Sequence, residues 1–208
     1  MEILGRINWV DIFSIILLLR ITYASFRGGL SHELFSTLGV FFNLIVSIHY
    51  YQKIGNFVSE TVSGFPVALS NFFSFLLLSA ALALLFRLIR MILDRVIKIE
   101  WHPFIEGFGG LAAGAVKAFM SVSLVLMLLI LLPLPYMQWS VRDKSVTGMF
   151  FLSIGPTIYS KTYRQIPGIK AQGEPMDMNE FMRALTEDKA IGPVNDMAKP
   201  SQKVPSKK

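Results

Sequence analysis

Four ionisable side chains stand where long apolar runs should not carry them: Arg20, Glu33, Glu106 and Lys117. Lys117 is the most costly. It lies about nine residues into its run, about 14 Å along a helix axis. An unpartnered ammonium at that depth costs at least ~3 kcal/mol. It must find a carboxylate, snorkel along its own stem to the headgroups, or line a wetted path. Two chemistries stay open for the four residues as one charged cluster: structural charge pairing, or a polar path for an ion, a proton or a peptide. Glu106 precedes Lys117 by eleven residues on the same helix, about 16 Å along the axis, which is too far for a direct pair. Glu33, from a neighbouring segment, is the better partner by elimination. Asp11 opens an apolar run and reads as a helix cap, favoured there by the dipole.

The residues for bond-making chemistry are missing from the sequence. There is no cysteine, and the three histidines, His32, His49 and His102, are scattered. That removes zinc, iron–sulfur and thiol-nucleophile patterns. No phosphate-cradling glycine loop, nucleophile elbow, zincin helix or dinucleotide fingerprint occurs. An intramembrane serine hydrolase would need a buried serine with a buried base, and Ser63, the obvious serine, falls in a loop. No catalytic, cofactor-binding or metal-binding residue is therefore nominated, and the expectation is a protein that is not an enzyme.

The elements that must position the cluster are helices in a membrane. Of 208 residues, 53% are hydrophobic and 16% charged, against roughly 25% charged in a soluble domain. The mean hydropathy is +0.52. A soluble monomer of this size could not bury that much apolar surface. Crossing a core of roughly 30 Å takes about 20 apolar residues. Four windows approach this: 9–26, 34–51, 67–86 and 108–132. The spacing predicts an all-α polytopic fold, a four-transmembrane-helix bundle over residues 1–135. The first two spans should form an antiparallel hairpin about Gly28-Gly29. Residues 56–66 read as a loop. Residues 87–99 read as the third helix continuing along the headgroups. Residues 136–174 form an interfacial or juxtamembrane segment, in which 146–159 is too short to span and is broken by Gly155-Pro156. A short amphipathic helix follows over 175–190, and a disordered basic, polar tail over 191–208.

Gly107, Gly110, Gly114 and Ala118 recur on one face of the fourth span. Small residues at that spacing let helix backbones approach closely in lipid. The face could serve packing within the bundle or a homo-oligomer seam. Residues 1–135 hold nine Lys/Arg and seven Asp/Glu, and the remainder holds eleven and seven. The bases are not interleaved with stacking aromatics, so nucleic acid is not expected and anionic lipid headgroups are. Arg27, Arg87, Arg90, Arg95 and Lys98 flank the first and third loops, which places those loops in the cytoplasm and the C-terminal tail in the periplasm.

Asn8-Trp9-Val10-Asp11 opens one span, and Arg27-Gly28-Gly29-Leu30-Ser31-His32-Glu33-Leu34-Phe35-Ser36 opens the next. With His49-Tyr50-Tyr51, Gly110-x-x-x-Gly114-x-x-Lys117-Ala118, Gln138-Trp139-Ser140 and Ser145, this pattern resembles the colicin V production protein family over roughly residues 7–160. It departs from the family pattern at Gly107, which follows Glu106 where a basic residue is usual, and at His32 and Ala118. The resemblance implies a small bacterial inner-membrane protein of four spans. It implies a non-enzymatic accessory factor in toxin production or export or in envelope homeostasis; the partner expected for such a factor is another membrane protein or a second copy of the chain. The residues alone leave a second possibility, an oligomeric channel or transporter subunit built on the charged cluster.

Overall fold

The computed structural model describes residues 8–62, 64–96 and 103–165. The amphipathic helix and basic tail expected beyond residue 174, together with Lys98, Trp101 and His102, lie outside the described residues. Helices account for nearly all of what is described: α1 (Trp9–Thr61), α2 (Val67–Val96), α3 (Pro103–Leu131), α4 (Pro135–Trp139), a π-helical turn (Ser140–Lys144) and α5 (Gly148–Gln165). Three of these, α1, α2 and α3, are long and apolar enough to cross a membrane.

The start of α1 is set by Asn8 and Asp11. The Asn8 side chain accepts from the Trp9 amide at 2.7 Å, and the Asp11 carboxylate accepts from the Asn8 amide at 2.9 Å. This capping box satisfies donors that the first turn leaves open. α1 is then broken at Gly29, where φ is 76° and ψ 166°, a backbone region that only glycine occupies readily. The break divides α1 into a first arm, residues 9–28, and a second arm, residues 30–61. Val10 joins one buried cluster with Leu44, Ile45, Ile48 and Tyr51. Along a straight helix Val10 and Leu44 would stand about 51 Å apart. The arms therefore fold back on each other.

α3 fills the angle between the arms, with Ala118, Val122, Leu126 and Met127 almost fully buried. α2 packs antiparallel along the outside of the second arm. Phe86 covers Gly39 near one end, Phe75 meets Tyr51, and Asn71 covers Gly55 toward the other. Midway, the Asn43 amide donates to the Ser79 carbonyl at 3.1 Å and Asn43 accepts from Ser47 at 2.9 Å.

Three boundaries differ from the sequence reading. The second arm continues to Thr61 through the residues read as a loop, its Gly55 packed against Asn71 of α2 and its Ser59 and Thr61 hydroxyls turned back onto carbonyls of their own helix. α3 begins at Pro103, since a proline in the first turn loses no helical bond. α5 runs through Gly155-Pro156 instead of breaking there. The Gly155 amide donates to Ser123 Oγ on α3 at 2.9 Å, so tertiary contact holds a turn that proline weakens. Along α5, Phe151 stacks on Phe119, Gly155 meets Ser123 and Met127, and Tyr159 reaches His49. α5 thus lies against the C-terminal halves of α3 and of the second arm.

The outside is apolar. Ile12, Ile16, Leu19, Leu77, Leu84 and Ile92 are each more than half exposed. Water does not tolerate so continuous an apolar surface, and lipid does. The chain is a multi-pass membrane protein by this surface and by the three apolar helices.

Candidate functional site

Where the two arms meet α3, small residues bring backbones together. A Cβ built on Gly110 would fall 2.9 Å from the carbonyl carbon of Gly29. Gly114 lies against the Ser25 side chain, and Ala118 is fully buried. Gly107 does not share this contact, since its nearest neighbour is Phe26 at 4.0 Å. Gly109, which the spacing argument passed over, takes its place by seating Leu30 at 2.8 Å from where its Cβ would be. The face is used within the bundle, against the first arm and the Gly29 turn.

That approach brings α3 alongside the start of the second arm, and Lys117 forms an ion pair with Glu33. The side chains are 13% and 3% exposed respectively. Ser36 Oγ stands 3.4 Å from Lys117 Nζ, and His32 Nδ1 stands 3.4 Å from the other Glu33 oxygen. One helical turn before Lys117 on α3, the Ala113 carbonyl accepts from the Thr37 hydroxyl at 3.1 Å. An ammonium and a carboxylate taken from water each lose several kcal/mol of solvation, roughly, and their mutual attraction offsets this only at close range with further polar partners. Both conditions hold here.

The four residues read as one cluster separate into three positions. Glu33 and Lys117 pair. Glu106 lies over the Gly29 turn, with a carboxylate oxygen 2.6 Å from where a Gly29 Cβ would be. Arg20 is exposed on the outer face of the first arm. It is excluded because the first arm turns Ser25 toward Gly114 of α3, with Ser14 buried on the same face, and Arg20 projects from the opposite side.

A second polar centre forms around Asp11, at the other end of the first arm. Its carboxylate accepts from Ser145 Oγ at 2.6 Å, Thr147 Oγ1 at 2.6 Å, the Thr147 amide at 2.8 Å and the Val146 amide at 3.3 Å. The Asn8 side-chain Nδ2 donates to the Ser140 carbonyl at 2.9 Å and to its hydroxyl. Ser145 Oγ in turn accepts from the Gly148 amide at 2.8 Å. The Asp11 carboxylate therefore sits at the open N-terminus of α5, where backbone donors and the dipole favour an anion. Asp11 is more than a cap for its own helix: it ties the first arm to the segment after α3. In the sequence, Ser140 and Ser145 stand out only as parts of the family-like pattern. The signal available was the hydroxyl-rich Ser145-Val146-Thr147 immediately before a glycine-initiated helix.

Among the described residues no three His, Asp or Glu side chains stand close enough to share a metal ion. His49 Nδ1 and Tyr159 Oη lie 2.8 Å apart and join the second arm to α5. Chemically, the arrangement holds helices in register through buried charge and hydroxyl contacts.

Compared with known proteins, residues 10–155 match the family model described as Colicin V production protein. No curated protein and no solved structure matches the chain. The matched stretch contains the Gly29 turn, the Glu33–Lys117 pair and the Asp11 centre with its Ser145 partner. With well over half its length matched, this membrane protein belongs to the Colicin V production protein family.

Proposed function

We propose that the chain is a bacterial inner-membrane protein that crosses the bilayer four times, its two α1 arms crossing separately. It acts as a non-enzymatic accessory factor in toxin production and export or in envelope homeostasis. Its partners are anionic lipid headgroups and another membrane protein or a second copy. The loops at the Gly29 end face the cytoplasm, where Arg27, Arg87 and Arg95 stand, and the C-terminal tail faces the periplasm.

The observation that carries this reading is the inward use of the ionisable groups. Glu33 and Lys117 neutralise each other, and Asp11 is taken up by the N-terminus of α5. What remains outward is mainly apolar side chain, the surface that meets lipid or another transmembrane helix. Crosslinking in native membranes, followed by identification of co-purified chains, tests it. A reproducible membrane-protein partner supports the accessory role.

One observation favours a second reading as an oligomeric channel or transporter subunit. Beyond Glu33 the second arm carries further polar side chains at its helix contacts, Ser36 and Thr37 against α3, and Asn43 against α2 with Ser47 bonded to it. Ion flux through proteoliposomes of the purified chain, lost in Glu33→Gln and Lys117→Met, would support this reading over the accessory one.

A further inference from the structure

The outer face of the first arm carries two arginines that the bundle does not use. Val10, Ser14, Ser25 and Gly29 mark the side of this arm turned inward. Arg20 and Arg27 are exposed on the opposite side, and Tyr23, 64% exposed, stands between them. The spacing of three and then four residues places all three on one stripe. The Arg27 guanidinium lies over the Tyr23 ring, 5.6 Å from its centroid. Arg20 makes no ion pair or hydrogen bond with any described residue.

Depth separates the two arginines. Arg27 stands next to the Gly28-Gly29 turn at the end of the arm. Arg20 lies seven residues earlier, about 10 Å further into the apolar stretch. Side chains on a helix lean toward its N-terminus, so Arg20 starts out leaning toward the middle of the arm and away from the turn. Its long stem must therefore turn back toward Arg27 to bring the guanidinium to headgroup depth. Ile16 and Phe13, both exposed, continue the same side of the arm beyond Arg20. A guanidinium among hydrocarbon draws a counter-charge to itself, and its paired N–H donors match phosphate oxygens.

We infer that Arg20, Tyr23 and Arg27 form a binding site for the phosphate of an anionic phospholipid, whose acyl chain lies along Ile16 and Phe13. The inference rests on the membrane reading above and narrows its anionic-headgroup partner to one place on the first arm. The rival occupant is a carboxylate on another protein helix. Two arginines on one stripe, with an exposed tyrosine between them along the helix and apolar side chains continuing the stripe, fit a headgroup with its attached chain better than a single acidic side chain.

The test uses the full chain in nanodiscs of mixed phosphatidylcholine and phosphatidylglycerol, released and weighed by native mass spectrometry. Wild type should retain phosphatidylglycerol in preference to phosphatidylcholine. Arg20→Gln should lower that occupancy about tenfold, with Arg20→Lys in between because an ammonium lacks the paired donors. Arg95→Gln, an exposed arginine on α2, should change nothing. Excess inorganic phosphate should leave the lipid bound; displacement would overturn the lipid as occupant in favour of free phosphate. Wild-type retention in the Arg20→Gln, Arg27→Gln double variant would overturn the site. So would a photocrosslinker at position 20 that captures protein and no lipid. A chain that enters no bilayer at all would instead strike the membrane reading itself.

Discussion

At the scale of single residues, the central fact is that Lys117 has found Glu33. The pair is nearly dry and spans two helices, so removing either partner leaves the other charged and uncompensated. Lys117→Met or Glu33→Gln alone should destabilise the chain in detergent by about 3–5 kcal/mol. The double variant should fall short of the sum of the singles by an interaction of about 0.5–3 kcal/mol. Denaturation of the four proteins in mixed micelles measures this, and strict additivity would mean that the two groups do not sense each other. Asp11 should behave differently, because its partners are neutral donors. Asp11→Ala strands two backbone amides and two hydroxyls at the start of α5, at a cost of about 1–3 kcal/mol for each donor left dry. Hydrogen exchange should then rise first in α5, with α2 still protected. Equal loosening of both helices would place the role of Asp11 elsewhere.

At the scale of elements, close approach decides which small residues matter. Gly114→Leu puts an isobutyl group where Ser25 already stands, and α3 must move away from the first arm. Folded, detergent-stable protein should be lost. Gly107→Leu, about two turns earlier on the same nominal face, meets only Phe26 at 4.0 Å and should be tolerated. Size-exclusion profiles after heating distinguish the two, and equal tolerance would mean that Gly114 faces lipid. Gly29→Ala should cost about 1–3 kcal/mol from its backbone angles alone, with crowding against Glu106 added to that. Three glycines in one place thus have three separate jobs: Gly29 turns the chain, Gly110 admits it, and Gly114 seats the arm beside it.

At the scale of the whole molecule, the proposed orientation makes a sharp prediction. A phosphatase fused after Lys208 should be active and a fluorescent protein there dark, as a periplasmic tail requires. A bright fluorescent fusion would reverse every side assigned here. The sequence alone is enough to assign the solvent and the element type. Composition and long apolar runs leave few ways to satisfy a backbone in lipid other than helices, and the motif pattern carried the family. It also narrowed the partner of Lys117 to Glu33, because helix geometry alone puts Glu106 too far along its own helix. It did not reveal that Arg20 stands apart from that pair, that Gly109 replaces Gly107, or that Asp11 reaches across to Ser145 and Thr147. Nor did it show α5 passing unbroken through Pro156. These depend on which face of each helix turns inward and on contacts between residues more than a hundred positions apart. In a membrane the inward face is selected by packing and polar contacts, since lipid solvates apolar side chains as well as a core does. Hydrophobic periodicity, the usual guide to the inward face, therefore carries little of that information here.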